Sequence, residues 1–291
     1  FNEYSIKKGG SNDTAKRKRI IEEYKNISKE YGLEYSENHS VKSPDSTTLF
    51  TTSGMQQHKN KFKNKDFKDT FTNIQRCLRL NDLDEIGDST HYLDFYMIGL
   101  FSFRQWSLKN GIDFFMEFLR RINIEPDTVT IHPDKFNEWK KLYTNYNVKI
   151  KSDKDCIWTD GSIGGYCTEF YYKGVEIGNI VNTMETCLDI GFGLERLENI
   201  ISKKETKNKL EILERTIDCL ISSGITLGQN KEGYILKKLI TLSLFEGSRK
   251  KHEFYQEIKN RQKNNYKEYL KNKIKKKYIK KDKCFWLDTF G

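Results

Sequence analysis

The clearest signal in this 291-residue chain is where apolar side chains recur. In residues 16–31 they fall at Ile20, Ile21, Tyr24 and Ile27, the spacing of one helix face. "LKNGIDFFMEFLRRI" (108–122) and "FNEWKKLYTNY" (136–146) carry the same period. "HYLDFYMIGLFSF" (91–103) is dense in aromatic and aliphatic residues and predicts one or two buried strands broken at Gly99. "SPDSTTLFTTSGMQQHK" (43–59) predicts a turn, a short strand and a turn at Gly54. "DTVTI" (127–131) predicts a strand, and "CTEFYYKGVEIGNIVN" (167–182) a hairpin turning at Lys173–Gly174. A strand over 185–190 runs into "GFG" and then into the helix-forming "LERLENIIS". From about residue 205 the pattern is helical, as in 208–224 and 232–247, each stopped near glycine.

Strands and helices alternate without a regular βαβ rhythm, so an α+β domain with an antiparallel sheet is expected. The reading divides the chain into a polar extension (1–15), a mixed domain (16–204) and a helical domain (205–291).

Composition changes this picture little, but charge does. No run approaches the roughly 18 apolar residues of a membrane span, and no signal-peptide pattern opens the chain. The net charge is +10, yet residues 249–283 alone hold 15 Lys/Arg against 4 Asp/Glu. The rest is close to neutral. A basic helical segment of this kind suits a polyanion such as nucleic acid, or is a solvated basic helix. The six cysteines lie far apart, form no C-x-x-C pair and do not cluster with the five histidines. They read as reduced, buried thiols, and no zinc is expected.

Three stretches carry candidate chemistry. In "IQRCLRLNDLDEIG" (74–87), Arg79 either forks onto a phosphate or pairs with Asp82, Asp84 or Glu85. In "CLDIGFGLERLENI" (187–200), Asp189 ends a strand and Gly191 and Gly193 let backbone approach a ligand. Arg196 follows in the first helical turn. Asp189 and Arg196 either hold an ammonium and a phosphate or form a tight strand–helix connection with an ion pair. In "VEIGNIVN" (175–182), Glu176 and Asn179 offer oxygens to magnesium or form the polar face of an edge strand.

An anion clamp, an ammonium acceptor and oxygen donors on one antiparallel sheet suit activation of an amino acid by ATP. With "TTLFTTSGMQQHK", "QRCLR…NDLDEIG…HYLDFYMIGLFSF", "IWTDGSIGGYCTEFYY", "VEIGNIV" and "LDIGFGLERLENII" in this order, the chain resembles the catalytic region of the alanyl-tRNA synthetases. These are class II aminoacyl-tRNA synthetases. "GQNKEGYILKKLI" and the terminal "FWLDTFG" resemble landmarks of the family's helical tRNA-binding region, so the likeness runs from about residue 16 to the last residue.

The resemblance implies the class II fold, an antiparallel sheet flanked by helices and followed by a helical domain. It implies formation of an aminoacyl-adenylate from ATP and alanine or another small amino acid, with Mg2+, and transfer to the 3′ end of tRNA. Arg79 would grip the α-phosphate, Phe95 stack on adenine and Arg196 contact the γ-phosphate. Asp189 would hold the amino group, beside Gly191. Met55, Trp158 and Asn179 would line the amino-acid pocket. Glu176, with Asn179, would bind magnesium. Lys237, Lys238, Lys271, Lys275 and Lys276 would meet tRNA. The expected location is the cytoplasm or an organelle, with no membrane contact, and the oligomeric state is left open.

Several positions depart from the family pattern. Only Leu80 separates Arg79 from Asn81, where the family has a longer loop that meets the tRNA end. The family's pocket-strand tryptophan is Gly178 here, a change expected to enlarge or reshape the pocket. A glutamate after the stacking phenylalanine is Tyr96, and the cysteine-bearing loop is shortened around Gly164–Cys167. The chain stops at "DTFG", where the family's editing domain would begin, so a minimal or truncated form without that domain is expected. The departures keep two other readings open: adenylate transfer to a carrier protein or small molecule, and a catalytically silent RNA-binding relative.

Overall fold

The structure is a computed structural model. It describes residues 11–275 apart from 45–47, 89, 160, 185 and 203–207. Two compact units divide between Ile212 and Leu213. The sequence pattern places the change to helix at about residue 205.

The first unit is built on a nine-stranded sheet. Its strands are β1 (Glu34–Asn38), β2 (Asp69–Leu78), β3 (Asp94–Phe103), β4 (Thr128–Ile131), β5 (Lys149–Ser152), β6 (Ile157–Thr159), β7 (Gly164–Tyr172), β8 (Val175–Thr183) and β9 (Cys187–Gly193). Their order is β1-β2-β3-β9-β8-β7-β4-β5, and β6 pairs with β7 beyond the end of β4. Only β1–β2 and β4–β5 are parallel. This is the α+β class that the irregular rhythm predicts.

One face of the sheet is covered by helices α1 (Ser11–Glu30) and α3 (Leu108–Arg121), with the short α2 (Lys59–Lys63) on a separate apolar cluster. The periodic residues of α1 are buried, and the Tyr24 hydroxyl donates to the Gly99 carbonyl at 2.6 Å. Ser107 caps α3 through a reciprocal bond with Asn110, a capping box that satisfies otherwise unpaired N–H groups. Phe115 of α3 lies flat on Phe192 of β9, ring centres 4.5 Å apart.

The β7–β8 hairpin turns at Lys173 and Gly174, both at positive φ (50° and 81°), which matches the twist of the flanking strands. Four expectations change. β3 is one strand that runs through Gly99 without the expected break. In place of the expected short strand, the described residues of 43–59 include Phe50, in an isolated bridge with Lys42, and a 3-10 turn (Gly54–His58). Residues 136–146 split into α4 (Pro133–Trp139) and a 3-10 turn ending at Tyr143. The first helix begins at Ser11, ahead of its apolar period.

In β8 the register shifts opposite Phe170/Tyr171, so Ile177 is one residue more than its partner strand supplies. Such a bulge re-aims the side chains before it. α5 (Leu194–Ser202) follows β9 directly.

α6 (Lys209–Ser222) spans the division between the units. The second unit also holds α7 (Lys231–Phe245) and α8 (Lys251–Lys275). Leu213, Ile217, Leu220, Leu236, Leu239, Ile240, Phe254 and Ile258 are buried in it. No helix among the described residues is long and apolar enough to cross a membrane.

Candidate active-site cleft

The sheet face opposite α1 and α3 carries a cleft with about 850 Å³ of unfilled space, part of it open to solvent. Period-two alternation explains its floor. Leu188, Ile190 and Phe192 of β9 enter the core, so Asp189, Gly191 and Gly193 face the cleft. Their cross-strand neighbours include Met97 (opposite Gly193), Asn179 (opposite Gly191) and Val181 (opposite Asp189), all of which line it.

Glu176 and Asn179 are three apart, which simple alternation would put on opposite faces. The bulge at Ile177 brings both to the cleft. Glu176 then meets Arg196: Arg196 Nη1 donates to the Glu176 carbonyl at 2.8 Å and to its carboxylate at 3.2 Å.

Arg79 lies one residue past β2. Its backbone N–H donates to the Leu93 carbonyl, and its Nε donates to the Thr52 carbonyl at 2.9 Å. The guanidinium carbon sits 5.2 Å from the centre of the Phe95 ring, a cation–π contact. Among the described residues no carboxylate lies within ion-pair distance of Arg79, although Asp82 also lines the cleft.

Trp158 forms part of the wall. Met55 does not line the cleft: the 3-10 turn directs it into an apolar cluster with Phe62, Phe71, Phe101 and Phe103, beneath Trp158. Gly178 does not open the pocket either. A Cβ there would lie 2.4 Å from Phe192 and 2.6 Å from the Gly191 carbonyl, so the Phe192 ring already fills that place. At Gly191 a Cβ would come within 3.0 Å of the Met97 sulfur, leaving bare backbone as the floor.

Two cleft features escaped the sequence reading. His91 is bracketed by carboxylates, with Nδ1 2.5 Å from Asp88 and Nε2 3.0 Å from Glu85. Partial burial works to raise the Asp88 carboxyl. The N–H groups of Thr90 and His91 and the His91 ring outweigh it and hold the group well below the usual carboxylate range. The Asp-x-x-His spacing is a signal that could have flagged this pair. Glu195 is buried, accepts from the Tyr96 N–H at 2.8 Å and pairs with Arg17 at 3.1 Å, fixing α5 to β3 and α1. Nothing local in sequence identifies its partners.

The donor set suits Mg2+ chemically, since Glu176 and Asn179 offer oxygens and Mg2+ takes one or two carboxylates beside phosphate and water. In the second unit, Lys237 and Lys238 lie on α7 beside Tyr234 and the exposed Phe245, with Lys238 Nζ 5.1 Å from the Tyr234 ring centre. Lys271 and Lys275 are positions on α8. Lys276 lies outside the described residues.

A mixed sheet with arginines, carboxylates and open backbone on one face is matched by a family profile. The profile described as tRNA synthetases class II (A) covers residues 27–214, and the chain belongs to that family. Alanine–tRNA ligases of Chlamydia muridarum (25% identical), Buchnera aphidicola (27%) and Francisella tularensis (27%) match 70%, 70% and 83% of this chain. The matches cover 32%, 33% and 38% of those proteins, so the chain spans about a third of the length of the curated relatives it matches. Among solved structures, a pyrrolysyl tRNA synthetase of Desulfitobacterium hafniense matches with a TM-score of 0.44 and 13% identity. That match covers 64% of this chain and 69% of the other.

Proposed function

We propose that this chain activates alanine, or another small amino acid, with ATP and passes the aminoacyl group to the 3′ end of tRNA. The observation that carries the reading is the meeting of Arg79, Phe95, Glu176, Asp189, Gly191 and Arg196 in one cleft.

Arg79 grips the α-phosphate and Arg196 the γ-phosphate, with adenine on Phe95. Because Arg79 already lies against Phe95, a nucleotide entering beside the ring brings its α-phosphate close to that guanidinium. Asp189 takes the α-ammonium of the amino acid, and the Gly191 floor and Trp158 wall limit its side chain. Glu176 and Asn179 would hold Mg2+, which neutralises phosphate charge when bound. For this, Glu176 must turn from Arg196, which the incoming phosphate would occupy instead.

The substrate carboxylate attacks the α-phosphorus in line. A carboxylate–phosphorus bond forms, the bond to the β-phosphate oxygen breaks, and pyrophosphate leaves. No protein nucleophile is needed, because the residues position and neutralise charge. The lysines of α7 and α8 supply the basic surface for tRNA.

A pyrophosphate-exchange panel over the standard amino acids tests this. Alanine-dependent exchange is expected. Exchange with a different small amino acid would move the substrate assignment, and no exchange with any of them would sink the reading. In that last case calorimetry showing RNA binding without ATP binding would favour a silent RNA-binding relative. One observation favours a different acceptor: the 3-10 turn at Asn81–Asp84 begins two residues after Arg79, where the longer acceptor loop would lie. Supplying labelled amino acid with either tRNA or candidate carriers separates the two.

A further inference from the structure

Beyond the cleft, a second set of ligating atoms is buried at its side. Cys156, just before β6, lies beside Cys167 of β7, whose N–H donates to the Cys156 carbonyl at 2.9 Å. Glu169 is two residues along β7 and shares a face with Cys167. The two sulfurs and a Glu169 oxygen all lie within 4.8 Å of one another. Both cysteines are buried, packed by Val181 and Trp158, while Glu169 is half-buried.

The surroundings hold these atoms in place. The Tyr171 hydroxyl donates to Glu169 Oε2 at 2.7 Å, and the Thr130 hydroxyl reaches the same oxygen at 3.3 Å. That leaves Oε1 turned toward the Cys167 sulfur, 4.0 Å away. The Cys156 thiol donates to Thr130 Oγ1 at 3.0 Å.

We propose that Cys156, Cys167 and Glu169 bind one thiophilic divalent cation, zinc by preference, with a water in the fourth position. Tetrahedral zinc accepts two thiolates and a carboxylate, with bonds of about 2.3 Å to sulfur and about 2.0–2.2 Å to oxygen. The present spacing needs only a small closure. Two sulfur ligands exclude Mg2+, which takes oxygen, so this site is chemically separate from the oxygen donors of the cleft. On binding, both thiols release their protons to solvent and form metal–sulfur bonds, and no electron is transferred.

The site has a structural consequence. β6 has three residues and its ladder pairs with β7 alone among the named strands, yet it carries Trp158 into the cleft wall. A metal joining Cys156 to Cys167 and Glu169 would bolt the start of β6 to β7 and fix that wall.

The test uses the full chain, reduced and stripped with a chelator, then titrated with Co2+. One equivalent should give thiolate-to-cobalt charge-transfer absorption that zinc bleaches. Cys156→Ser and Cys167→Ser should each remove the band, whereas Cys219→Ser, in the other unit, should keep it. Tyr171→Phe should keep the band and weaken binding about 10–100-fold, as for loss of a partner that orients a ligand. A folded wild-type chain without the band, or a band surviving both serine variants, overturns the proposal. So does a Cys156–Cys167 disulfide whose reduction restores no cobalt uptake. The wild-type titration decides even if the serine variants fail to fold.

Discussion

The two faces of strands β3, β9 and β8 use the same backbone for opposite ends. Toward α3, Ile98, Leu100, Leu188, Ile190, Phe192 and Ile180 interlock with Phe115 and its neighbours, with no charged residue in that set. Toward the cleft, the intervening residues include Asp189, Gly191, Gly193 and Asn179, and two glycines expose bare backbone. One face supplies stability and the other spends some of it on charge and open space. A rigid, apolar back is what lets the front hold arginines and carboxylates in fixed places.

The largest break in that comparison comes from the back. Phe192→Ala removes a fully buried ring stacked on Phe115 and should cost about 3–5 kcal/mol, read from denaturant unfolding. Any activity loss should follow unfolding. Substitutions on the front should do the reverse. Arg79→Ala and Arg196→Ala should each slow adenylate formation about 10²-fold or more while moving the unfolding midpoint little. Unchanged exchange kinetics in both would place the chemistry elsewhere.

Gly178 tests where the faces meet. Gly178→Ala drives a Cβ into Phe192 and should destabilise by about 1–3 kcal/mol, although the residue lines the cleft. A neutral result would mean that Phe192 can move aside and that the faces are less separate than they look.

The front is not polar throughout. Away from the cleft, His58 packs between Phe71 and Phe101, and burial, helped by Lys61, pushes its pKa down to about 4. The folded state therefore keeps the ring neutral where the unfolded chain would protonate it. Stability is full above the ordinary histidine pKa near 6.5 and is lost as pH falls toward 4. Between pH 6.5 and 5 the loss should reach about 2 kcal/mol, and His58→Phe should flatten it. A wild-type profile without this slope would contradict a neutral buried ring.

How much of this was legible in the chain depends on locality. The period of α3, the Lys173–Gly174 turn and the "DIGFG" alternation show because each depends on near neighbours in sequence. β2 does not show, because nearly all of it is buried and several of its polar residues find partners far along the chain. Arg76 is buried against Asp94 at 2.8 Å, and Thr72 bonds Ser28 of α1 at 2.9 Å. β1 is short and alternates only between exposed and half-buried positions, so it lacks the apolar rhythm that marks a strand. Arg79, Asp189 and Arg196 could be nominated because charge beside glycine is visible in sequence. Met55 misled because an apolar residue near a turn serves a cluster as readily as a pocket. The His91 clamp and the Glu195 tie depend on the folded arrangement.

The bulge in β8 places a constraint on evolution as well as on geometry. Because Ile177 has no counterpart on β7, the length of β8 is itself part of the site. Flattening the bulge at the present length would turn Glu176 to the other side of the sheet and part it from Arg196, whereas losing Ile177 together with the bulge would leave Glu176 two ladder positions from Asn179 and still facing the cleft. Within this segment residue number and ladder shape are tied, because changing either one alone turns Glu176 away from the cleft.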